Sequence, residues 1–168
     1  MPLLQPVYYI SSITELTPEF LQKKGVRGLI LDVDNTLTTH DDPVPHPEIA
    51  QWLEQMRQCG IAMMIVSNNK PGRVAPFAEL LGLPFVANGK KPLAAGLHRA
   101  AVQMGLQPQE LAVVGDQIFT DVLGGNLFGA LSVMVLPLGP ETVGFIRFKR
   151  KLEKLVLRGR RPAGLEET

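Results

Sequence analysis

The stretch Leu29-Ile30-Leu31-Asp32-Val33-Asp34-Asn35-Thr36-Leu37 puts two carboxylates, one residue apart, at the end of an apolar run rich in β-formers. Such a run suits a buried parallel strand, and the C-terminal ends of parallel strands are where α/β sheets place ligands. Two anions held that close are costly unless something neutralises them. A divalent cation is the natural partner, since hard cations prefer carboxylate and carbonyl oxygens. Asp and Asn are also common turn residues, so the stretch taken alone fits a strand ending in a polar Asx turn equally well. The rest of the chain decides between the two.

Outward from it, Val26 to Val33, Ile61 to Val66, Leu83 to Val86, Leu111 to Val114 and Leu131 to Leu136 are short apolar runs of the kind found in a buried parallel sheet. Helix patterns lie between them. Pro47, Pro71 and Pro92 suit first helical positions, while Gly60, Gly82, Gly105 and Gly129 sit where a left-handed C-terminal residue is wanted. From Pro92 to Met104, the residues Leu93, Leu97, Ala100, Ala101 and Met104 make one apolar stripe, which reads as core. A short helix from Thr17-Pro18 to near Gly25 should pack Phe20 and Leu21 on the sheet. Strands alternating with helices imply βαβ units with right-handed crossovers, hence a three-layer α/β/α fold around a central parallel sheet. The opening segment, Met1 to Ile13, is apolar and aromatic and suits a sheet edge, a membrane or a partner.

At 168 residues the chain fits one domain, and 45% hydrophobic with 20% charged residues is ordinary for a soluble globular protein. The single cysteine, Cys59, excludes an intramolecular disulfide and a cysteine-rich zinc cluster, and makes cytoplasmic residence the simplest inference. It is expected to pack as a small buried hydrophobe. Neither a secretory signal nor an apolar run long enough to span a bilayer is seen. Charge is uneven: residues 1–144 carry nine Lys and Arg against thirteen Asp and Glu, and 145–168 carry eight against three. Body and tail therefore have different jobs.

Parallel strands point their C-terminal ends to one edge, so residues just after successive strands converge although distant in sequence. Ser67, Asn68 and Asn69 follow the second main run, as small polar donors suited to phosphate. Lys90-Lys91-Pro92 follows the third, at the mouth of a helix whose N-terminal amides also favour anions. Gly115-Asp116-Gln117-Ile118-Phe119-Thr120-Asp121 follows the fourth and adds two carboxylates. That set can perform phosphoryl transfer: one aspartate attacks phosphorus, a cation offsets charge, a lysine and a hydroxyl hold the phosphoryl oxygens, and a second acid handles the proton.

The four segments together resemble the motifs of the haloacid dehalogenase phosphatase superfamily, in order, over residues 26 to 136. The resemblance implies a HAD-like Rossmannoid fold and an aspartyl-phosphate mechanism. By it, Asp32 is the nucleophile and Asp34 the general acid/base. Ser67, Asn68 and Lys91 bind phosphate, and magnesium takes Asp32, the Asp34 backbone carbonyl and Asp116. Asp121 supports the metal shell or Lys91, while Lys90 is a solvated neighbour.

Closer similarity is to the YqeG-like branch of the subclass III phosphatases, through Gly115-Asp116-Gln117, Phe119-Thr120-Asp121, Gly124-Gly125-Asn126 and the tail Phe145-Ile146-Arg147-Phe148-Lys149-Arg150. That branch is similar to phosphatidylglycerophosphate phosphatases, which makes that lipid phosphate the leading substrate expectation. The alternatives are a soluble phosphatase of small sugar or nucleotide phosphates, and a binding adaptor with a vestigial site.

Leu37 reaches the Pro47 helix through the short loop Thr38 to His46, and Val86 reaches Lys91 almost directly, so no cap domain is expected. An open site suits phosphate on a large or surface-bound molecule; an oligomeric neighbour is another source of the missing wall. His40 and His46 are expected to serve the loop and helix cap, since magnesium prefers oxygen, and His98 lies on a surface. Gly124-Gly125 lacks the spacing of a phosphate loop and suits close helix packing or a helix break.

The domain reading is therefore one phosphatase domain over 1–144, with 1–25 as covering segment and helix, then a basic amphipathic helix over 145–158 and a disordered 159–168. On that helix Phe145, Phe148, Leu152, Leu155 and Val156 form an apolar stripe with Arg147, Lys151, Lys154 and Arg158 largely off it. The stripe is expected to dock on the sheet. The same pattern suits peripheral contact with anionic lipid at the inner membrane face, where each cation adds about 1 kcal/mol. Nucleic acid is not an expected partner.

Overall fold

A six-stranded, all-parallel sheet organises the chain, with order β1-β6-β5-β2-β3-β4. The computed structural model describes residues 2–39, 42–139 and 144–165. The strands are β1 (Tyr8–Ile10), β2 (Gly28–Leu31), β3 (Ala62–Val66), β4 (Phe85–Val86), β5 (Leu111–Gly115) and β6 (Leu131–Val135). The helices are α1 (Pro18–Lys23), α2 (Pro47–Gln58), α3 (Pro71–Leu81), α4 (Ala94–Met104), α5 (Leu123–Phe128) and α6 (Gly144–Leu157).

Side chains alternate across each strand, so the apolar runs feed two cores. On one face Leu29, Leu31, Met63, Ile65, Ala112 and Val114 meet Leu21 of α1, Trp52 and Met56 of α2, and Phe77 of α3. Trp52 also satisfies its indole by donating to the Leu16 carbonyl at 2.7 Å. On the other face Ile30, Met64, Val66 and Val113 meet Leu97, Ala100 and Ala101 of α4. Sheet and two helical layers thus form the expected α/β/α sandwich. Gly124 and Gly125 are buried, and a Cβ on Gly125 would stand 3.2 Å from Val113 Cβ, which is the close helix packing expected of that pair.

Two local expectations change, and one open alternative is decided. Pro47 and Pro71 do open α2 and α3, but α4 begins at Ala94, past Pro92, and Leu93 is left 64% exposed instead of joining the Leu97 stripe. Cys59 caps the C-terminus of α2, off the face that buries Ile49, Trp52, Leu53 and Met56, and is exposed. Of the opening segment, Tyr8–Ile10 becomes an edge strand, paired to β6, with Val7 N–H donating to Ser132. His98 is exposed and His46 is the N-cap of α2, without a side-chain capping bond; His40 lies outside the described residues.

The tail also differs from expectation. Residues up to Leu165 run back along β1, where Ala163 N–H donates to the Tyr9 carbonyl at 2.9 Å and Tyr9 and Gly164 form an antiparallel bridge. An open sheet edge supplies the unpaired backbone groups that order this segment. Residues 166–168 lie outside the described residues.

Candidate active site

β2 is central, and the chain leaves it toward β3 on one side while β5 lies on the other, so a topological switch point sits at its C-terminal end. Asp32 N–H extends the ladder by donating to Val114 O at 3.0 Å, which fixes the first carboxylate where β2 ends. The chain then turns back on itself. Asn35 adopts a left-handed φ of 61°, a conformation Asn tolerates, and its N–H donates to Thr38 O. The turn is thus closed by backbone bonds, and the Asn35 side chain accepts instead from Gly139 N–H at 3.2 Å.

The residues expected from later strand ends gather around that turn. Asp32, Asp34, Ser67, Asn68 and Lys91 all line one pocket of about 250 Å³. Lys91 is the centre of its floor. Its ammonium, buried with the side chain 2% exposed, stands 2.6 Å from Asp121 Oδ1 and 3.3 Å from Asp32 Oδ1. Burial alone would lower the lysine pKa, but the charges of Asp121 and Asp32 carry it above its ordinary value. Lys90, by contrast, is exposed.

Two devices position this lysine. The Asn68 side chain accepts from Lys91 N–H at 2.7 Å and donates to Lys91 O at 2.9 Å. Asn68 is therefore a clamp on the Lys91 backbone, a job the sequence did not suggest, and it also lines the pocket. Ser67 keeps the expected place: buried, its Oγ accepts from Asn69 N–H, and the hydroxyl proton remains to donate. The second device is Gly96, where a Cβ would lie 2.5 Å from the carbonyl oxygen of Gly89. Only glycine lets α4 approach the loop that presents Lys91.

After β5 the chain passes Asp116 and forms a single π-helical turn, Ile118–Val122, a form that often marks functional sites. That turn aims Asp121 back at Lys91, and Asp121 Oδ2 accepts from Gln117 N–H at 3.2 Å. The close return requires glycine at position 115, since a Cβ there would lie 2.1 Å from Asp121 Cγ.

Asp32, Asp116 and Asp121 each offer a carboxylate oxygen within 4.8 Å of one another, a set able to hold a metal ion. Burial pushes the Asp32 pKa up to about 7 against the lowering effect of Lys91, with Asp121 and Asp34 adding to the rise. Burial likewise holds Asp116 well above the ordinary carboxylate range, partly opposed by Arg150. Asp116 Oδ1 is buried and has no hydrogen-bond partner among the described residues. Acids so disposed are short of positive charge, and hard oxygen donors at this spacing suit a small divalent cation.

Several participants were not singled out from sequence, or, like Asn69, not in the role they take. Asp34 accepts from Arg73 of α3 at 2.7 Å and from the Asn69 side chain, which hold it beside the pocket. Helix α6 supplies the rest. Arg150 binds both the Asp116 carboxylate and its carbonyl, while Glu153, buried, accepts from Ile118 N–H at 2.9 Å and from Arg150 at 3.0 Å. Phe145, Ile146 and Lys149 line the pocket, so the wall that an inserted cap would provide comes from this chain's own C-terminal helix. Glu153 is the one acid of that helix, three residues after Arg150, and this pair was the available signal.

The comparisons with known proteins agree with the geometry. The model of the haloacid dehalogenase-like hydrolase family matches residues 12–129. The chain is 40% identical over 152 residues to a probable phosphatase, YqeG, of Bacillus subtilis, covering 90% of this chain and 88% of the relative. It is 32% identical over 128 residues to the mitochondrial phosphatidylglycerophosphatase GEP4 of Saccharomyces cerevisiae, covering 66% of this chain and 67% of that one. Among solved structures, the 3-deoxy-D-manno-octulosonate 8-phosphate phosphatase of Moraxella catarrhalis superposes with a TM-score of 0.52 at 16% identity, over 85% of this chain and 92% of that chain. This last match speaks for the fold alone.

Proposed function

Since this chain belongs to the haloacid dehalogenase-like hydrolase family and is a phosphatase of it, we propose that it hydrolyses a lipid phosphomonoester of the phosphatidylglycerophosphate type, with magnesium, through an aspartyl-phosphate. The observation that carries the mechanism is the buried Lys91 ammonium between Asp32 and Asp121, at the floor of a pocket that also contains Asp34 and Ser67. The lipid assignment draws on similarity to phosphatidylglycerophosphatases and on a pocket with no inserted cap.

In this reading Asp32 attacks phosphorus, and the bond to the ester oxygen breaks with its electron pair going to the leaving alcohol. The Asp34 carboxylic acid protonates that oxygen. As carboxylate, Asp34 then takes a proton from water, whose oxygen attacks phosphorus and breaks the bond to Asp32, releasing phosphate. Lys91 and the Ser67 hydroxyl hold the phosphoryl oxygens, and Asp121 fixes Lys91. Asp32, the Asp34 carbonyl and Asp116 would hold magnesium, and the unpartnered Asp116 Oδ1 is the donor atom that fits it best. When bound, the ion offsets charge on Asp32 and the phosphoryl oxygens.

A substrate panel tests the assignment. Phosphatidylglycerophosphate in mixed micelles should be turned over with a kcat/KM at least about a hundredfold above that for glycerol phosphate, sugar phosphates or nucleotides, a gap of roughly 2.7 kcal/mol in transition-state binding. Equal turnover of small soluble esters would overturn the lipid reading and leave the phosphatase.

Metal linkage gives a second expected result. The raised Asp32 pKa contributes stability that is fully present below the unfolded value near pH 4 and is lost as pH rises through about 7. Asp116 acts in the same direction. In EDTA the melting temperature should therefore fall between pH 5 and pH 8. Magnesium needs the deprotonated acids, so at a hundredfold excess over its Kd it should restore about 5–10 °C at pH 8 and little at pH 5. Scanning calorimetry at the two pH values checks this, and an equal magnesium effect at both would refute it.

A further inference from the structure

Helix α6 turns outward what its sequence pattern would bury. Phe145, Phe148, Leu152 and Leu155 are 67%, 59%, 39% and 74% exposed, because Arg150, Glu153 and Leu157 occupy the inward positions. At 3.6 residues per turn these four apolar side chains fall within about 80° of arc. Arg147, Lys151 and Lys154 border that arc on one flank, all exposed. Lys149 borders the other, with its ammonium 5.0 Å from the centre of the Phe145 ring. Glu153, the helix's one acid, is withdrawn into the protein.

The apolar arc is also continuous with the pocket, since Phe145 and Lys149 belong to both. Among the described residues no helix is long and apolar enough to cross a membrane. A helix with large apolar side chains between two cationic borders is built to lie in the plane of an anionic lipid surface, the rings among acyl chains and the cations among headgroup phosphates. A second copy of this chain is a poorer occupant, because two such faces brought together set cation against cation.

We propose that α6 is an interfacial docking face for an anionic phospholipid bilayer, which sets the mouth of the pocket against the lipid headgroups. The inference rests on the lipid-phosphate reading for what enters the pocket, but docking and hydrolysis are measured separately. The full-length chain is sedimented with vesicles of phosphatidylcholine and phosphatidylglycerol, and with vesicles of phosphatidylcholine alone. The parent should pellet with the anionic vesicles and be released by salt, which screens the attraction.

The double substitution Phe148→Ser and Leu155→Ser should weaken binding about tenfold or more, and Lys151→Glu with Lys154→Glu should weaken it at least about fivefold per cation. Hydrolysis of a soluble aryl phosphate should be unchanged in both, since none of the four residues lines the pocket. A parent that stays in the supernatant with anionic vesicles would overturn the proposal, as would binding indifferent to lipid charge or to both pairs of substitutions. A parent dimer that Phe148→Ser and Leu155→Ser dissociate, with no vesicle binding, would assign the face to a second copy instead. Vesicle binding in a parent that hydrolyses no phosphate ester would uphold the docking face and remove the catalytic reading.

Discussion

Asp32→Asn is expected to abolish phosphate-ester hydrolysis, lowering kcat by a factor on the order of 10⁴ to 10⁶, the scale seen when a catalytic nucleophile is removed. The substitution keeps the shape of the side chain and its place at the end of β2, where the Asp32 N–H bonds to Val114 O. What it removes is the charge and the oxygen that would bond to phosphorus. The effect on stability should run the other way. At pH 8 the parent holds Asp32 ionised although burial pushes its pKa to about 7, which is a cost to the folded state. A neutral amide would not bear that cost, and Lys91 would keep Asp121 at 2.6 Å. In EDTA at pH 8 the variant should therefore melt at or above the parent temperature, and at pH 5, where the parent acid is mostly protonated, the difference should vanish. Lost turnover with retained melting separates a chemical defect from an unfolded protein. Turnover above about one hundredth of the parent value would place the nucleophile elsewhere, because an amide is so much weaker a nucleophile.

The sequence carried the candidate site at this sheet edge because each of its parts is signalled locally. A β-rich run followed by Asp32 and Asp34, another by Ser67, and a third by Gly115-Asp116 need only parallel strands to bring them together, and the sheet is parallel throughout. Lys91 was legible from its place before Pro92, although the helix starts two residues beyond that proline. The clamping role of Asn68 was not legible because a side-chain amide near a candidate phosphate site suits two jobs. Which one it does depends on the Lys91 backbone, 23 residues away in sequence.

The tail was misread for a different reason. The spacing of Phe145, Phe148, Leu152 and Leu155 marks one helix face, and apolar faces normally turn inward. Here polar contacts override that preference: Arg150 meets Asp116, and Glu153 meets Ile118 N–H. Those partners lie more than thirty residues away, and within the helix only the Arg150–Glu153 spacing hints at them. An ion pair taken out of water, with further hydrogen bonds to the Asp116 and Ile118 backbones, gains enough from its geometry to fix which face docks. The same contacts expose the apolar arc, so the internal wall of the pocket and its outer surface follow from one docking choice.

Lys91→Met is expected to lower both activity and stability, and its pattern tests whether the lysine compensates two acids at once. The ammonium is almost wholly buried, and both of its carboxylate partners are shielded from solvent, Asp121 most of all. Removing one member of a buried charge cluster leaves the others uncompensated, a loss of about 3–5 kcal/mol at pH 8, or roughly 6–20 °C in melting temperature for a chain of this size. The loss should shrink toward pH 5. Lys91 lowers the Asp32 pKa in the parent, so without it Asp32 takes up a proton at still higher pH and the repulsion is relieved. Adding Asp121→Asn should restore much of the stability by withdrawing one orphaned charge, so the two substitutions would be strongly non-additive. It should not restore turnover, which would stay about 10²–10³ below the parent for want of a cation on the phosphoryl oxygens. If the double variant recovered both stability and activity, Lys91 would be only a counter-ion to Asp121. If it recovered neither, Asp121 would be holding more than the lysine, through Gln117 N–H and the π-helical turn. Recovery of stability alone is the outcome that makes one ammonium both the charge that lets the acids share a buried site and the group that receives the phosphate.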